Sequence, residues 1–122
     1  MKRSMMGIYV KGSIEALEFY KKAFDAKVGD IYTNSDGTYM HAEFDVYGQI
    51  FSVSELSNRK IGNNMQFCLH FSEDEKDTVH KIYEVLKEDA INIDHPCGSC
   101  FYSPLMASLI DKYGIYWCIF VT

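Results

Sequence analysis

The chain has 122 residues, 48% of them hydrophobic and 15% aromatic, which suits one domain with a substantial core of its own. Twelve basic residues against 17 acidic ones give a formal net charge of -5, and no stretch clusters Lys or Arg with aromatics, so a nucleic-acid partner is not expected. The longest apolar run is Ile115 to Val121, far below the roughly 20 residues that span a bilayer.

The first segment, MKRSMMGIYVKGS, has no long apolar core after its basic residues, so the expected location is the cytoplasm, with no membrane partner. Within it GIYVK reads as a short strand. SIEALEFYKKAFDA then places Ile14, Leu17, Tyr20 and Phe24 at helical spacing with Ser13 available as a cap, which predicts a helix over about 13–26. AKVGDIYT, TYMHAEFDVYG and QIFSVSEL follow as strand candidates, the first two joined by the turn residues NSDG. SNRKIGNN, Ser57 to Asn64, is a polar linker.

Past the linker, MQFCLHF is a strand candidate and SEDEKDTVHKIYEVLKEDA a helix over about 73–90, opened by a Ser72 to Glu75 capping box and carrying Val79, Ile82, Tyr83 and Leu86 on one face. A short INID, a Cys/Gly/Ser loop, SPLMASLID and IYWCIFV complete the chain. Each half therefore reads βαβββ, with helix starts about 60 residues apart, the spacing of a structural duplication. The expectation is a single domain over 1–122 built from module 1, about 1–58, and module 2, about 62–122. Four cysteines in a chain that needs no cross-links are expected as thiols. Cys97 and Cys100 form a CxxC in a loop, without the helix N-terminus that activates such a pair in thioredoxin-like proteins.

Strand alternation sorts the side chains into two faces. In TYMHAEFDV, Met40, Ala42, Phe44 and Val46 make the apolar set, leaving Tyr39, His41, Glu43 and Asp45 opposite. Phe51 and Val53 oppose Ser52 and Ser54; Met65, Phe67, Leu69 and Phe71 oppose Gln66, Cys68 and His70. In the last strand Ile115, Trp117, Ile119 and Val121 oppose Tyr116, Cys118 and Phe120. The second set either lines a half-polar pocket for a small molecule or is a solvated face of an open sheet.

EALEFYKKAFDAKV, MHAEFDVYGQIFSVSE and FYSPLMASLIDKYGIYWCI resemble, in order and spacing, the vicinal oxygen chelate (glyoxalase/bleomycin resistance/dioxygenase) superfamily, and within it the PhnB-like group. The resemblance implies an α+β fold of two βαβββ modules forming paired curved mixed sheets around a cavity with the helices outside, and it implies a homodimer. Metal-dependent members hold a divalent cation with one side chain from the first and last strand of each module, typically His and Glu. The matching positions here are Met5, Ser54 (Ser52 if the register slips), Gln66 and Cys118. None is His, Glu or Asp, so the resemblance implies no metal of the usual kind and no glyoxalase I or extradiol dioxygenase chemistry. Cys118 then reads as a small apolar wall residue.

Two functions follow, beside a third reading as a partner-binding module in which the cavity is vestigial. One is metal-free binding of a small aromatic or amphipathic molecule by Tyr39, Ser52, Ser54, Gln66, Cys68, His70, Tyr102, Tyr116, Cys118 and Phe120. The other is a lyase or isomerase in which His41, oriented by Glu43, moves a proton alpha to a carbonyl, or in which a displaced metal is held by Cys68, His70, Cys118 and His41. Glu55 reads as an exposed strand-end charge or, with a slipped register, a proton acceptor. No glycine-rich loop follows the first strand to hold a methyl donor, which excludes a methyltransferase.

Overall fold

The computed structural model describes residues 2–57, 62 and 65–122, so all of the predicted linker except Ser57 and Gly62 lies outside the described residues. Two compact units divide the chain, Met1–Lys60 and Ile61–Thr122. In the first, β1 (Met6–Val10), α1 (Ser13–Phe24), β2 (Lys27–Thr33), β3 (Tyr39–Val46) and β4 (Gln49–Glu55) follow one another. The second runs β5 (Gln66–Phe71), a 3-10 turn (Glu73–Glu75), α2 (Lys76–Leu86), β6 (Asn92–Cys100), β7 (Ser103–Ile110) and β8 (Tyr116–Val121). The sheet orders are β1-β4-β3-β2 and β5-β8-β7-β6, the same mixed topology twice. In each, the first and last strands pair parallel and the others antiparallel. No helix of the described residues is long and apolar enough to cross a membrane.

In module 1 the apolar sets of β3 and β4 meet α1: Phe44, Phe51 and Val53 are buried, and Tyr20 stacks on Phe44 with ring centroids 5.7 Å apart. Each such fully buried side chain contributes on the order of 2 kcal/mol over its exposed state. Two expectations fail here. Ile14 and Met40 are exposed, and Ala16, Phe19 and Ala23 take the helix side of the core instead. Met40 sits at a register irregularity of the β2–β3 ladder, between the Thr33–Tyr39 and Tyr32–His41 pairs, where strict alternation of faces breaks.

The start of α1 also differs from the sequence reading. Gly12 is the N-cap, with φ 88°, a left-handed conformation that costs glycine little. Ser13 does not cap; its hydroxyl donates to Glu55 Oε1 at 2.7 Å and accepts the Tyr39 N–H at 2.9 Å. Glu55, at the end of β4, receives the Gly12 N–H (3.0 Å) and the Ser13 N–H (2.9 Å). It is therefore neither a free strand-end charge nor an available base: it satisfies the first orphan donors of α1 and sits on the positive end of the helix dipole.

In module 2 the sequence-read capping box is formed, with Glu75 Oε1 accepting the Ser72 N–H at 3.0 Å. It opens a 3-10 turn, and the regular α-helix is shorter than expected, Lys76–Leu86. Val79, Ile82, Tyr83 and Leu86 are buried as predicted, joined by Val85. The DKYG segment makes the β7–β8 turn. Asp111 is fully buried and accepts the N–H of Tyr113 (2.8 Å) and Ile115 (3.0 Å) on Oδ1 and the Trp117 indole N–H (2.8 Å) on Oδ2. Gly114, with φ 87°, lets the chain reverse. HPCGSC is not a loop but the body of β6, pairing with β7 through several irregularities.

Candidate functional site

Each sheet has one face covered by its helix; the predicted site residues of the strands fall on the other, termed the open face, where Glu43, Ser52, Ser54 and Cys118 are nonetheless buried, and Tyr102 lies in the β6–β7 turn. In module 1 Glu43 pairs across the sheet with Ser52, and Ser52 with Gly7; Ser54 pairs with Tyr9. Glu43 is nearly buried and held from two sides. The Arg3 guanidinium donates to Oε1 (2.8 Å) and Oε2 (2.9 Å), and His41 Nε2 meets Oε2 at 2.8 Å. The hydrogen bonds from Arg3 and then from His41, outweighing partial desolvation, pull the Glu43 carboxyl down to about 2. The same pairing raises the Arg3 guanidinium.

Gly29 lies against Glu43: a Cβ there would stand 3.4 Å from Glu43 Cβ, an ordinary van der Waals contact. An open pocket of about 220 Å³ is lined by Gly29, Glu43, Lys27, Asp45 and Ile50. A second pocket, of about 500 Å³, opens at the end of the sheet against Tyr9, Asp36, Met40, Ser54 and Glu55. Asp36 is held below the usual carboxylate range by the Thr38 hydroxyl and N–H. Burial works against the Glu55 charge, but the Ser13 and Gly12 donors win and its pKa is lowered.

The open face of module 2 has a different chemistry. His70 stacks on Phe120 (4.8 Å, 8° between planes), and Tyr102 meets Phe120 edge-on at 5.8 Å. His70 Nε2 is also hydrogen-bonded to the Thr122 hydroxyl. Gln66 donates to Ser108 at 3.3 Å and accepts from the Cys68 thiol at 3.5 Å. Ser108 lowers the Tyr116 phenol, but Asp94 and burial outweigh it and its pKa is raised. Burial pushes the Cys118 thiol up. The Tyr102 hydroxyl lies 4.0 Å from Cys118 Sγ, and desolvation together with Cys118 pushes the phenol up to about 12.

The positions that the family resemblance assigned to a metal do not fit one. Met5 precedes β1, while Ser54 pairs with Tyr9 and the alternative Ser52 with Gly7. Gln66 pairs with Tyr116, whereas Cys118 pairs with Cys68. A thioether, a hydroxyl, an amide and a protonated buried thiol do not match the hard oxygen and imidazole donors of a catalytic divalent cation. Among the described residues no group of three or more His, Cys, Asp or Glu is placed to hold an ion.

Arg3 was absent from the sequence reading. It lies outside any regular element, and only the strand register shows that an N-terminal residue reaches Glu43, 40 positions away. Its one sequence signal was the basic pair Lys2 and Arg3, which served only in judging export.

A family model described as the Glyoxalase/Bleomycin resistance protein/Dioxygenase superfamily matches residues 4–119. No curated protein matches the chain. Among solved structures, the PhnB protein from Bacillus cereus is 23% identical with a TM-score of 0.83, over 99% of this chain and 100% of that one. Protein PA1353 from Pseudomonas aeruginosa is 14% identical with a TM-score of 0.81, over 99% and 98%. The fosfomycin resistance protein FosX from Listeria monocytogenes, in a complex with Mn(II) and a dihydroxypropylphosphonic acid, is 12% identical with a TM-score of 0.73, over 97% and 90%. At these identities the structural likeness speaks for the fold alone.

Proposed function

The chain belongs to the Glyoxalase/Bleomycin resistance protein/Dioxygenase superfamily, and on that premise we propose that it binds a small aromatic or amphipathic molecule without a metal such as the Mn(II) of the FosX complex. The observation that carries this reading is the Tyr102, Phe120 and His70 array on the open face of module 2. Two rings on the sheet and that of Tyr102 in the β6–β7 turn, 45% exposed, offer both stacking and edge-on contacts to a planar ligand. Gln66 and the Cys68 thiol add polar contacts at its border. FosX carries Mn(II), but the donor types and registers of Met5, Ser54, Gln66 and Cys118 do not support that chemistry here.

The test is a thermal-shift screen of aromatic acids, amines and neutral amphiphiles on untagged protein, with elemental analysis in parallel. A ligand at 100 times its Kd adds about 2.7 kcal/mol of stability. Phe120→Ala should abolish the shift of any hit. About one ion per chain, whose removal lowers the melting temperature, would overturn the metal-free reading. The homodimer implied by the family is part of the proposal, and sedimentation of the full chain tests it.

A second reading has one observation in its favour, the 2.8 Å contact between His41 and Glu43. A carboxylate held at about 2 stays charged and orients His41 but does not itself take protons near neutrality. His41 is then the group that would move one. Exchange of an alpha hydrogen of a bound carbonyl compound, lost in His41→Gln with binding retained, would favour catalysis over binding.

A further inference from the structure

The sequence offers Cys97 and Cys100 as its thiol pair; the sheet offers another. Three steps along a strand separate Cys97 and Cys100 by about 10 Å and send their side chains to opposite faces. Their contacts agree: Cys97 Sγ lies 3.6 Å from His80 Nδ1 of α2, while Cys100 neighbours Tyr102 on the open side. Cys68 and Cys118, by contrast, are direct Cα partners in the parallel β5–β8 ladder. Adjacent strands run about 4.8 Å apart with paired side chains on the same face. That separation falls inside the roughly 4.4–6.8 Å between Cα atoms that a disulfide requires.

We propose that Cys68 and Cys118 form a reversible oxidation site at which a peroxide converts two thiols on neighbouring strands into one disulfide. Cys68 is exposed and meets the oxidant first, whereas Cys118 is buried and its thiol is held protonated by desolvation. The Cys68 sulfur attacks the peroxide, breaking the O–O bond; it becomes a sulfenic acid and the first water leaves. The Cys118 sulfur then attacks the Cys68 sulfur, the S–O bond breaks, and its hydroxyl leaves as the second water with the Cys118 proton. Two thiols lose two protons and two electrons in all, and one peroxide becomes two waters.

The new bond draws Cys118 Sγ away from the Tyr102 hydroxyl and alters the aromatic face beside it. The site does not depend on the ligand proposed above, since it stands on strand register alone.

The experiment is mild hydrogen peroxide treatment of the full chain, followed by non-reducing peptide mass spectrometry. The expected product links the peptides holding Cys68 and Cys118, reverts with a thiol reductant, and persists in the Cys97→Ser, Cys100→Ser double variant. Cys68→Ser, at an exposed position, should fold and give no link. A Cys97 to Cys100 link, or separate oxidation of the four thiols with no link between Cys68 and Cys118, would overturn the proposal.

Discussion

The two modules repeat one topology but secure their helices and furnish their open faces by different means. In module 1 the helix is capped from a distance by Glu55, 43 residues beyond Gly12, and the open face carries an ion-paired centre of Arg3, Glu43 and His41. In module 2 the cap is local, from Ser72 to Glu75, and the open face is a set of rings and thiols. Module 2 keeps its charge elsewhere, in Asp111 under the β7–β8 turn. A duplicated fold thus preserves strand order and the apolar side of each sheet, where packing with a helix dictates residue type. The open faces are under no such demand and have diverged into one that fixes charge and one that presents ring edges and sulfur.

The largest effect should come from breaking the buried charge of module 2. Asp111→Ala leaves the fully buried Trp117 indole and two backbone donors without an acceptor and should cost about 3–4 kcal/mol in urea denaturation. A loss below about 1 kcal/mol would show that water replaces the carboxylate. Next comes the distant cap of module 1: Glu55→Ala strands two N–H groups and the Ser13 hydroxyl, for about 2 kcal/mol. The local cap of module 2 should matter less, with Ser72→Ala costing about 1 kcal/mol. If Ser72→Ala proved more damaging than Glu55→Ala, the contrast between distant and local capping would be wrong.

What could be read from the sequence follows the same division. The capping box, the buried face of α2 and the order of elements along the chain were legible because each depends on residues a few positions apart. Alternation also placed His41, Glu43, Cys68, His70, Cys118 and Phe120 on the faces away from the helices. Glu55 as a cap and Arg3 as the partner of Glu43 were not legible, since both bonds cross about 40 residues and depend on which strands lie side by side. HPCGSC misled for a local reason. Its Pro, Gly and Ser are turn residues, yet β6 lies at the edge of its sheet and absorbs them as irregularities against β7. The CxxC spacing then suggested a pair that an extended strand holds apart.

The smallest change in stability, and the sharpest test of the charged face, is expected from Arg3→Met. The ion pair with Glu43 is half open to solvent on the Arg3 side, where salt screens it, so global unfolding should shift little at neutral pH. Its signature is in pH dependence. The Glu43 pKa is lowered from 4.5 to about 2, so its stabilising contribution is present above about 4.5 and is lost as pH falls from there through about 2. Removing the largest cause of that shift leaves His41 alone to hold the carboxylate. In carbon-13 NMR the Glu43 carboxyl of Arg3→Met should therefore titrate at higher pH than in the parent chain. The gap in melting temperature between the two should close on acidification through the same range. A gap that stays constant to pH 2 would mean that Arg3 acts through its packed aliphatic stem rather than its charge. The open face of module 1 would then be organised by shape, as that of module 2 is.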